Sequence, residues 1–351
     1  MHRLASANEI LVQYATREQF IVFRAAKHTP RLEVLFAASL SGPNQKHFAA
    51  PIRTHTLIVM QILPFFATLS ISDADAKSFL QGQLSNDMNL LTPQQALLAS
   101  CNSAQGRVQA LVTLIERNDG LLAIAPKSMT ESLITRLRKY ILRSKVVITD
   151  SSDQLHCLAA TAESLNQSRL PIPSGLGAHA QANQTSILHW WDSETPRFLV
   201  IEPKSMAESV SNADAAWLLD DIRAGIPHVL EPTCEAFVAQ MLNVDALNGI
   251  SFTKGCYTGQ EIIARAHYRG AVKRRMFRLS GACDPPAPAT RILTADGTHA
   301  GDVVIAAPTG GGCELLAVLS LSHVESALHV EGNAEVTLKL ESLPYAIPSL
   351  E

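Results

Sequence analysis

The chain has no CxxC pair: its six cysteines, Cys101, Cys157, Cys234, Cys256, Cys283 and Cys313, never come closer than 22 positions. That spacing excludes a zinc ribbon and a thiolate cluster cradle. With 47% hydrophobic residues over 351 positions, a disulfide framework is not needed to hold a core either. Charge of one sign is also scarce. The formal net charge is −3, which gives the whole molecule no pull toward nucleic acid or anionic lipid. The twelve histidines form no HExxH or HxxxH, and the glycines at 310–312 are not followed by GK[ST], so zincin and P-loop chemistry drop out. No apolar run is long. Residues 57–69 are broken by Gln61 and Pro64 and fall short of the roughly 20 residues a membrane helix needs. No signal-peptide pattern follows Met1, so a cytoplasmic protein without a membrane partner is expected.

What is present reads as several domains. Residues 1–55 carry seven Lys/Arg against three Asp/Glu, net +4, leaving 22 against 29, net −7, for the rest. Residues 1–50 are expected to be a poorly ordered N-terminal extension, with Met60 a conceivable later start. Beyond them, β-branched and aromatic residues over 56–72 predict strand. Ser72 or Asp73 is expected to cap a helix over 76–84. Strands at 96–101, 107–116 and 121–125, the second pair turning at Asn118-Asp119-Gly120, precede an amphipathic helix over 128–140 and a strand at 146–149. This order predicts an α+β sandwich with antiparallel pairing. Residues 166–184, rich in Pro, Gly, Ser and Asn, read as a surface loop. Strands at 188–191 and 198–202 and helices at 206–210 and 213–224 follow. From Lys273 on, five short β-runs with turns at Asp296-Gly297 and 310–312 predict a small β-barrel. The expected domains are 51–145, 146–271 and 272–351.

The most informative stretch lies at 249–261. Gly255 and Gly259 flank Cys256-Tyr257-Thr258, and Gln260 opens an apolar pattern that reads as a helix start. A cysteine ahead of a helix N-terminus, two residues after Lys254, is placed to favour thiolate. A lone cysteine is also commonly a small buried apolar residue, and the residues alone leave both readings open. The other five lack such surroundings and read as structural. Trp190, Trp191 and Trp217 read as packing residues.

The run Lys254-Gly255-Cys256-Tyr257-Thr258-Gly259-Gln260-Glu261, continued by Ala264-Arg265-Ala266-His267-Tyr268-Arg269-Gly270, resembles the signature of the YgfZ family. Phe79 to Asp87, Ile222 to Pro227, Gln240 to Asn243 and Leu343-Pro344-Tyr345 agree in order, so the resemblance covers about residues 56–351. It implies a fold similar to the T protein of the glycine cleavage system, with two α/β sandwich domains and a C-terminal β-barrel around a channel for tetrahydrofolate. It also implies a role in assembly or repair of iron–sulfur clusters in client enzymes, including tRNA-modifying ones. By the resemblance, Cys256 is the functional thiol in the catalytic position, and Lys254, Tyr257, Gln260, Glu261, Asn86 and Asp87 are cofactor-binding. The chain departs from the family pattern at Ala239, where Pro is expected, and at Asp220, where a basic residue is common.

Two other classes compete. A folate-dependent aminomethyltransferase needs an acidic residue after the first glycine turn, and residues 101–115 contain none. A conventional enzyme is therefore disfavoured. Direct tRNA binding would use Arg265, His267, Arg269, Lys273, Arg274, Arg275 and Arg278 with Tyr268 and Phe277 interleaved. Its alternative is a cationic channel wall or a solvated strand face. No resident metal is expected, because Cys256 and His267 make an incomplete ligand set.

Overall fold

The structure is a computed structural model that describes residues 60–191, 195–204, 212–268 and 272–348 with their side chains, together with the backbone of four earlier strands. Those strands, β1 (Glu9–Thr16), β2 (Gln19–Ala26), β3 (Arg31–Ala38) and β4 (His55–Ile58), pair antiparallel in that order. Three of these strands lie within residues 1–50, the expected N-terminal extension.

The chain then gives β5 (Gln61–Ile62), β6 (Phe66–Ser72), α1 (Ala76–Gln83), β7 (Leu97–Asn102), β8 (Val108–Arg117), β9 (Gly120–Pro126), α2 (Thr130–Arg138) and β10 (Val147–Asp150). Five of these form an antiparallel sheet of order β10-β6-β9-β8-β7. Its apolar strands are nearly continuous because both faces are covered. Ala110, Val112 and Leu114 of β8 meet Leu80 of α1, Leu84 just after it, and Leu133 and Leu137 of α2 on one face. Ile115, Leu122 and Ile124 turn the other way, toward the next sheet. At the start of α1 neither Ser72 nor Asp73 caps the helix. Asp75 holds the N-cap position without a side-chain cap bond, because its carboxylate accepts from the Lys145 N–H at 2.8 Å instead.

Next come β11 (Leu155–Thr161), α3 (Ala162–Gln167), β12 (His179–Ala182), β13 (Thr185–Trp191), β14 (Arg197–Pro203), α4 (Asp214–Ala224) and α5 (Gln260–Tyr268). The second sheet runs β12-β13-β14-β11-β5. Its edge strand β5 immediately precedes β6, so a few residues of chain join two sheets that pack face to face through Leu63, Phe66, Leu188, Leu199, Ile201 and Trp217. Strand β12 lies inside the stretch read as loop. It is short and polar, and only its pairing with β13 makes it a strand. The helix read at 206–210 falls outside the described residues.

Residues 272–348 hold β15 (Arg274–Gly281), β16 (Arg291–Thr294), β17 (His299–Thr309), β18 (Gly312–Ser320), β19 (Leu328–Val330) and β20 (Asn333–Glu341). They close into a barrel of order β15-β18-β17-β16-β19-β20, as the short β-runs predict. Leu279, Ile292, Val303, Leu315 and Leu319 fill it. Helix α4 packs against the barrel wall through Ile222 with Val304 and Leu316. Past β20 the chain returns to the end of α4, where the Tyr345 hydroxyl donates to the Gly225 carbonyl at 2.7 Å. Gly225 sits at φ 69°, and a Cβ there would fall 2.7 Å from the Tyr345 ring, so both backbone conformation and space require glycine.

Among the described residues no helix is long and apolar enough to cross a membrane.

Candidate functional site: the cysteine loop and the cavity beside it

The loop before α5 is stitched to the first sheet domain by its main chain. Ser251 N–H donates to Ser85 O at 3.0 Å, Thr258 N–H to Gly82 O at 3.2 Å, and the Ser85 hydroxyl to Gly249 O at 2.6 Å. Lys254 completes the seam. Its ammonium donates to the carbonyl oxygens of Gln81, Leu84 and Asn86 at 2.6, 2.8 and 2.7 Å. Three N–H groups meet three acceptors where α1 ends and carbonyls lack helical partners. Burial draws the Lys254 pKa down to about 8, opposed by the nearby Asp87 carboxylate. The side chain therefore fastens the loop to the first domain; it is not a free cation beside the thiol, as its position two residues before Cys256 predicted.

Tyr257 is buried, stacks beneath the Lys254 ammonium at 5.0 Å, and joins the core with Phe237 and Ile263. Its phenol is pushed up to about 12 by burial. Cys256, between these two inward side chains, is exposed. The alternation is what a tight loop does: Lys254 and Tyr257 anchor it, and the residues between face out. Gly259 is at φ 83°, and a Cβ there would lie 2.5 Å from Ser103 O. That glycine serves a close approach of the loop to the β7–β8 turn, whereas Gly255 has open space around it. Helix α5 starts at Gln260, whose side-chain oxygen faces the Tyr257 N–H at 3.4 Å. Glu261 points to solvent, 3.5 Å from Arg265.

Asn86 links this loop to a cavity. Its carbonyl accepts from Lys254, while its buried side chain donates to Leu98 O at 2.8 Å and Asn248 O at 2.7 Å. Asp87 instead accepts from Gln81 and from the Asn89 N–H, and that N–H, with Gln81 and Lys254 assisting, holds its carboxyl below the usual range. The cavity, about 540 Å³, lies where the first sheet, the second sheet, the loop after α4 and the C-terminal tail converge. Leu98, Trp190 and Ile226 form apolar wall, with Asn248, His189 and Tyr345 among its polar lining. Of the seven residues expected at the site, Asn86 alone lines the cavity. Lys254, Tyr257 and Gln260 build the loop beside it, and Cys256 and Glu261 face solvent. Tyr345 and Trp190 were not assigned to a site from sequence. The Leu343-Pro344-Tyr345 ending was a signal, but nothing local says that a tail returns to a cavity over a hundred residues upstream.

Trp190 is held by a buried carboxylate. Asp221, with no exposed surface, accepts from Trp190 Nε1 at 3.0 Å and Arg197 Nη2 at 2.8 Å, and faces His228 Nε2 at 2.8 Å. Gln240, beside Ala239, donates to Ile263 O at 2.7 Å and so ties the first half of α5 to the turn at 239–242. A second cavity of about 530 Å³, between β11 and α4, is lined by Trp191, Trp217 and Asp220 and by no residue of the cysteine loop.

The basic stretch is mostly neutralised. Arg275, buried, grips Asp245 at 2.7 Å; Arg274 meets Asp302 at 2.6 Å; Arg278 meets Glu314 at 2.9 Å. Arg269 lies outside the described residues. His267 stacks on Phe252 with ring centroids 3.8 Å apart, and Tyr268 stands exposed beside it. Among the described residues no group of three metal-ligating side chains converges.

No protein-family model matches the chain. It is similar to the tRNA-modifying protein YgfZ of Edwardsiella ictaluri (strain 93-146), 34% identical over 317 residues that cover 85% of this chain and 95% of that protein. The protein of the same name from Yersinia pseudotuberculosis (serotype O:1b, strain IP 31758) is 32% identical over 300 residues, 80% of this chain and 91% of the relative. In fold the chain is similar to the glycine cleavage system aminomethyltransferase T from Bartonella henselae, with a TM-score of 0.61 over 81% of this chain and 85% of that one. At 14% identity that likeness concerns architecture: sheet-rich domains capped by a closed barrel. A third of the residues identical over nearly a whole relative is decisive for descent, and the chain belongs to the family of the tRNA-modifying protein YgfZ.

Proposed function

We propose that this protein binds a reduced folate, tetrahydrofolate or a derivative, in the 540 Å³ cavity, and that it supports iron–sulfur cluster assembly or repair in client enzymes, tRNA-modifying ones among them, through the exposed Cys256. The observation that carries this reading is the seam at Asn86. One residue lines the cavity with its amide and holds, through its carbonyl, the lysine that anchors the thiol loop. What occupies the cavity is therefore in mechanical contact with the position of the thiol.

The cavity fits a flat heteroaromatic ligand. Its size is that of small-molecule sites, its walls are apolar and aromatic, and its polar lining is amide, hydroxyl, imidazole and phenol. The Asn86 amide already donates twice and so shapes the wall, while Gln95, Thr113, Asn248, His189 and Tyr345 bring further polar groups to the lining that a pterin would meet. No carboxylate stands among the lining residues, which favours binding over the acid–base work of an aminomethyl transfer. The chemistry expected of Cys256 is that of an accessible thiol toward a cluster or a client. The protein acts in the cytoplasm as an accessory factor, with iron–sulfur client or assembly proteins as partners.

The test separates the two halves. Ala246→Trp places an indole in the cavity and should abolish tetrahydrofolate binding in calorimetry, with the fold intact by circular dichroism. Cys256→Ala should keep that binding and lose client-enzyme activity in cells. Folate binding unaffected by the filled cavity would sink the site assignment, and normal client activity in the cysteine variant would remove the thiol from the mechanism.

A further inference from the structure

The barrel carries two thiols in contact. Cys313, the second residue of β18, and Cys283, two residues past the end of β15, bring their sulfurs to 3.7 Å. No other sulfur–sulfur contact joins the six cysteines, all of which are described. The two positions differ in freedom. Cys313 is pinned: it pairs in register with Gly281, and the neighbouring Gly312 packs so close that a Cβ there would overlap the Gly281 carbonyl. Cys283 lies beyond the ladder and is half-exposed. Beside them opens a cavity of about 490 Å³, lined by Cys313 with Arg278, Ala282, Thr309, Gly311 and Lys339. A disulfide needs about 2.05 Å between sulfurs, so one of the two must approach by under roughly 2 Å, within reach of a rotation about the Cys283 side-chain bond.

We propose that Cys283 and Cys313 form a reversible thiol–disulfide modification site, with a small disulfide of the glutathione class as oxidant. The inference stands apart from the folate and cluster reading. In the first step the Cys283 thiolate attacks one sulfur of the small disulfide. The external S–S bond breaks, and one thiolate leaves with the electron pair and takes a proton from water. In the second step Cys313 gives its proton to solvent and attacks the Cys283 sulfur of the mixed disulfide, expelling the second small thiol. Two protein thiols are oxidised and one external disulfide is reduced to two thiols. Cys283 leads because it is the more accessible. Cys313, held up at about 12 chiefly by burial, is slow as a first nucleophile and effective only against a sulfur already beside it.

The experiment uses the full chain in mixed reduced and oxidised glutathione, quenched in acid and mapped without reduction. The expected product is a peptide containing 283 linked to one containing 313, free of glutathione and reopened by a phosphine, while Cys256 carries glutathione as a mixed disulfide. Cys283→Ser should abolish the link and leave the Cys256 adduct unchanged. The proposal is overturned if, once Cys256 is fully modified in the wild type, both barrel thiols are still free or each carries its own glutathione. The wild-type map alone decides the matter, so a variant that fails to fold does not protect the idea.

Discussion

Lys254 places its ammonium nitrogen 2.7 Å from the main-chain oxygen of Asn86, and that bond joins the thiol loop to the wall of the cavity. Neither residue contacts the other through side chains alone. The bond exists because α1 ends just before Asn86 and leaves carbonyls that a buried cation can gather.

Replacing that cation tests the seam. Lys254→Met keeps the stem and removes three charge-assisted donors, so it should cost about 3 kcal/mol in urea unfolding. The loop should also open to limited proteolysis near Cys256 before the sheets do. A variant as stable as wild type would mean the seam holds nothing.

Asp221→Ala strands the Arg197 guanidinium, whose side chain is 12% exposed, and frees Trp190. The expected loss is about 3–5 kcal/mol, the usual result of removing one partner of a buried pair. Trp190 fluorescence should shift as its indole N–H loses its acceptor, and folate affinity should fall with it if the cavity is the folate site.

Selective labelling should single out Cys256. Burial pushes the Cys101 thiol up to about 11 and Cys157 up to about 12, and both are sealed from solvent. A brief iodoacetamide pulse near pH 8 should therefore modify Cys256 first, and bound tetrahydrofolate should change its rate. Peptide mapping reads the order; Cys101 or Cys157 reacting ahead of it would contradict the loop geometry.

Alkaline pH should weaken the fold as buried acids ionise, the phenols of Tyr257 and Tyr345 among them. Burial raises the phenols of Tyr257 and Tyr345 from 10.0 to about 12. Between those values the unfolded chain has released protons that the folded chain keeps. The contribution of the two phenols is thus complete below pH 10 and falls as pH climbs toward 12, by about 2–3 kcal/mol at most from Tyr257. Phenolate absorbance followed beside urea midpoints at pH 9, 10 and 11 checks this. Early ionisation of both tyrosines in a folded protein would refute it, and Tyr345→Phe should flatten the slope.

Binding to tRNA by the isolated protein should be weak and nearly insensitive to salt. Arg274, Arg275 and Arg278, which look like a phosphate-binding stripe along the sequence, already face Asp302, Asp245 and Glu314. Few counterions would be released on binding. Filter binding across a salt series measures the slope, and a steep one would restore direct RNA recognition.

The thiol loop is written in a local run of residues, whereas the cavity is built from segments far apart in the chain. The run from Lys254 to Glu261 announces itself, because glycines around a cysteine, a following helix and a basic neighbour form a local pattern, and local patterns are what a sequence displays. The barrel was legible for the same reason: its turns are marked by glycine and its strands by β-branched and aliphatic residues. Strand β12 was not, since a short polar segment becomes a strand only when a partner offers hydrogen bonds.

By itself, then, the sequence determined the family, the class of fold, and which cysteine has a loop of its own. Only the tertiary structure decided that Lys254 turns inward to three carbonyls, that Arg274, Arg275 and Arg278 each face a carboxylate, and that Tyr345 comes back to close a cavity. The reason is physical. A side chain's direction and its partner are set by residues far along the chain that the fold brings within 3 Å, and periodicity along one segment carries no record of them.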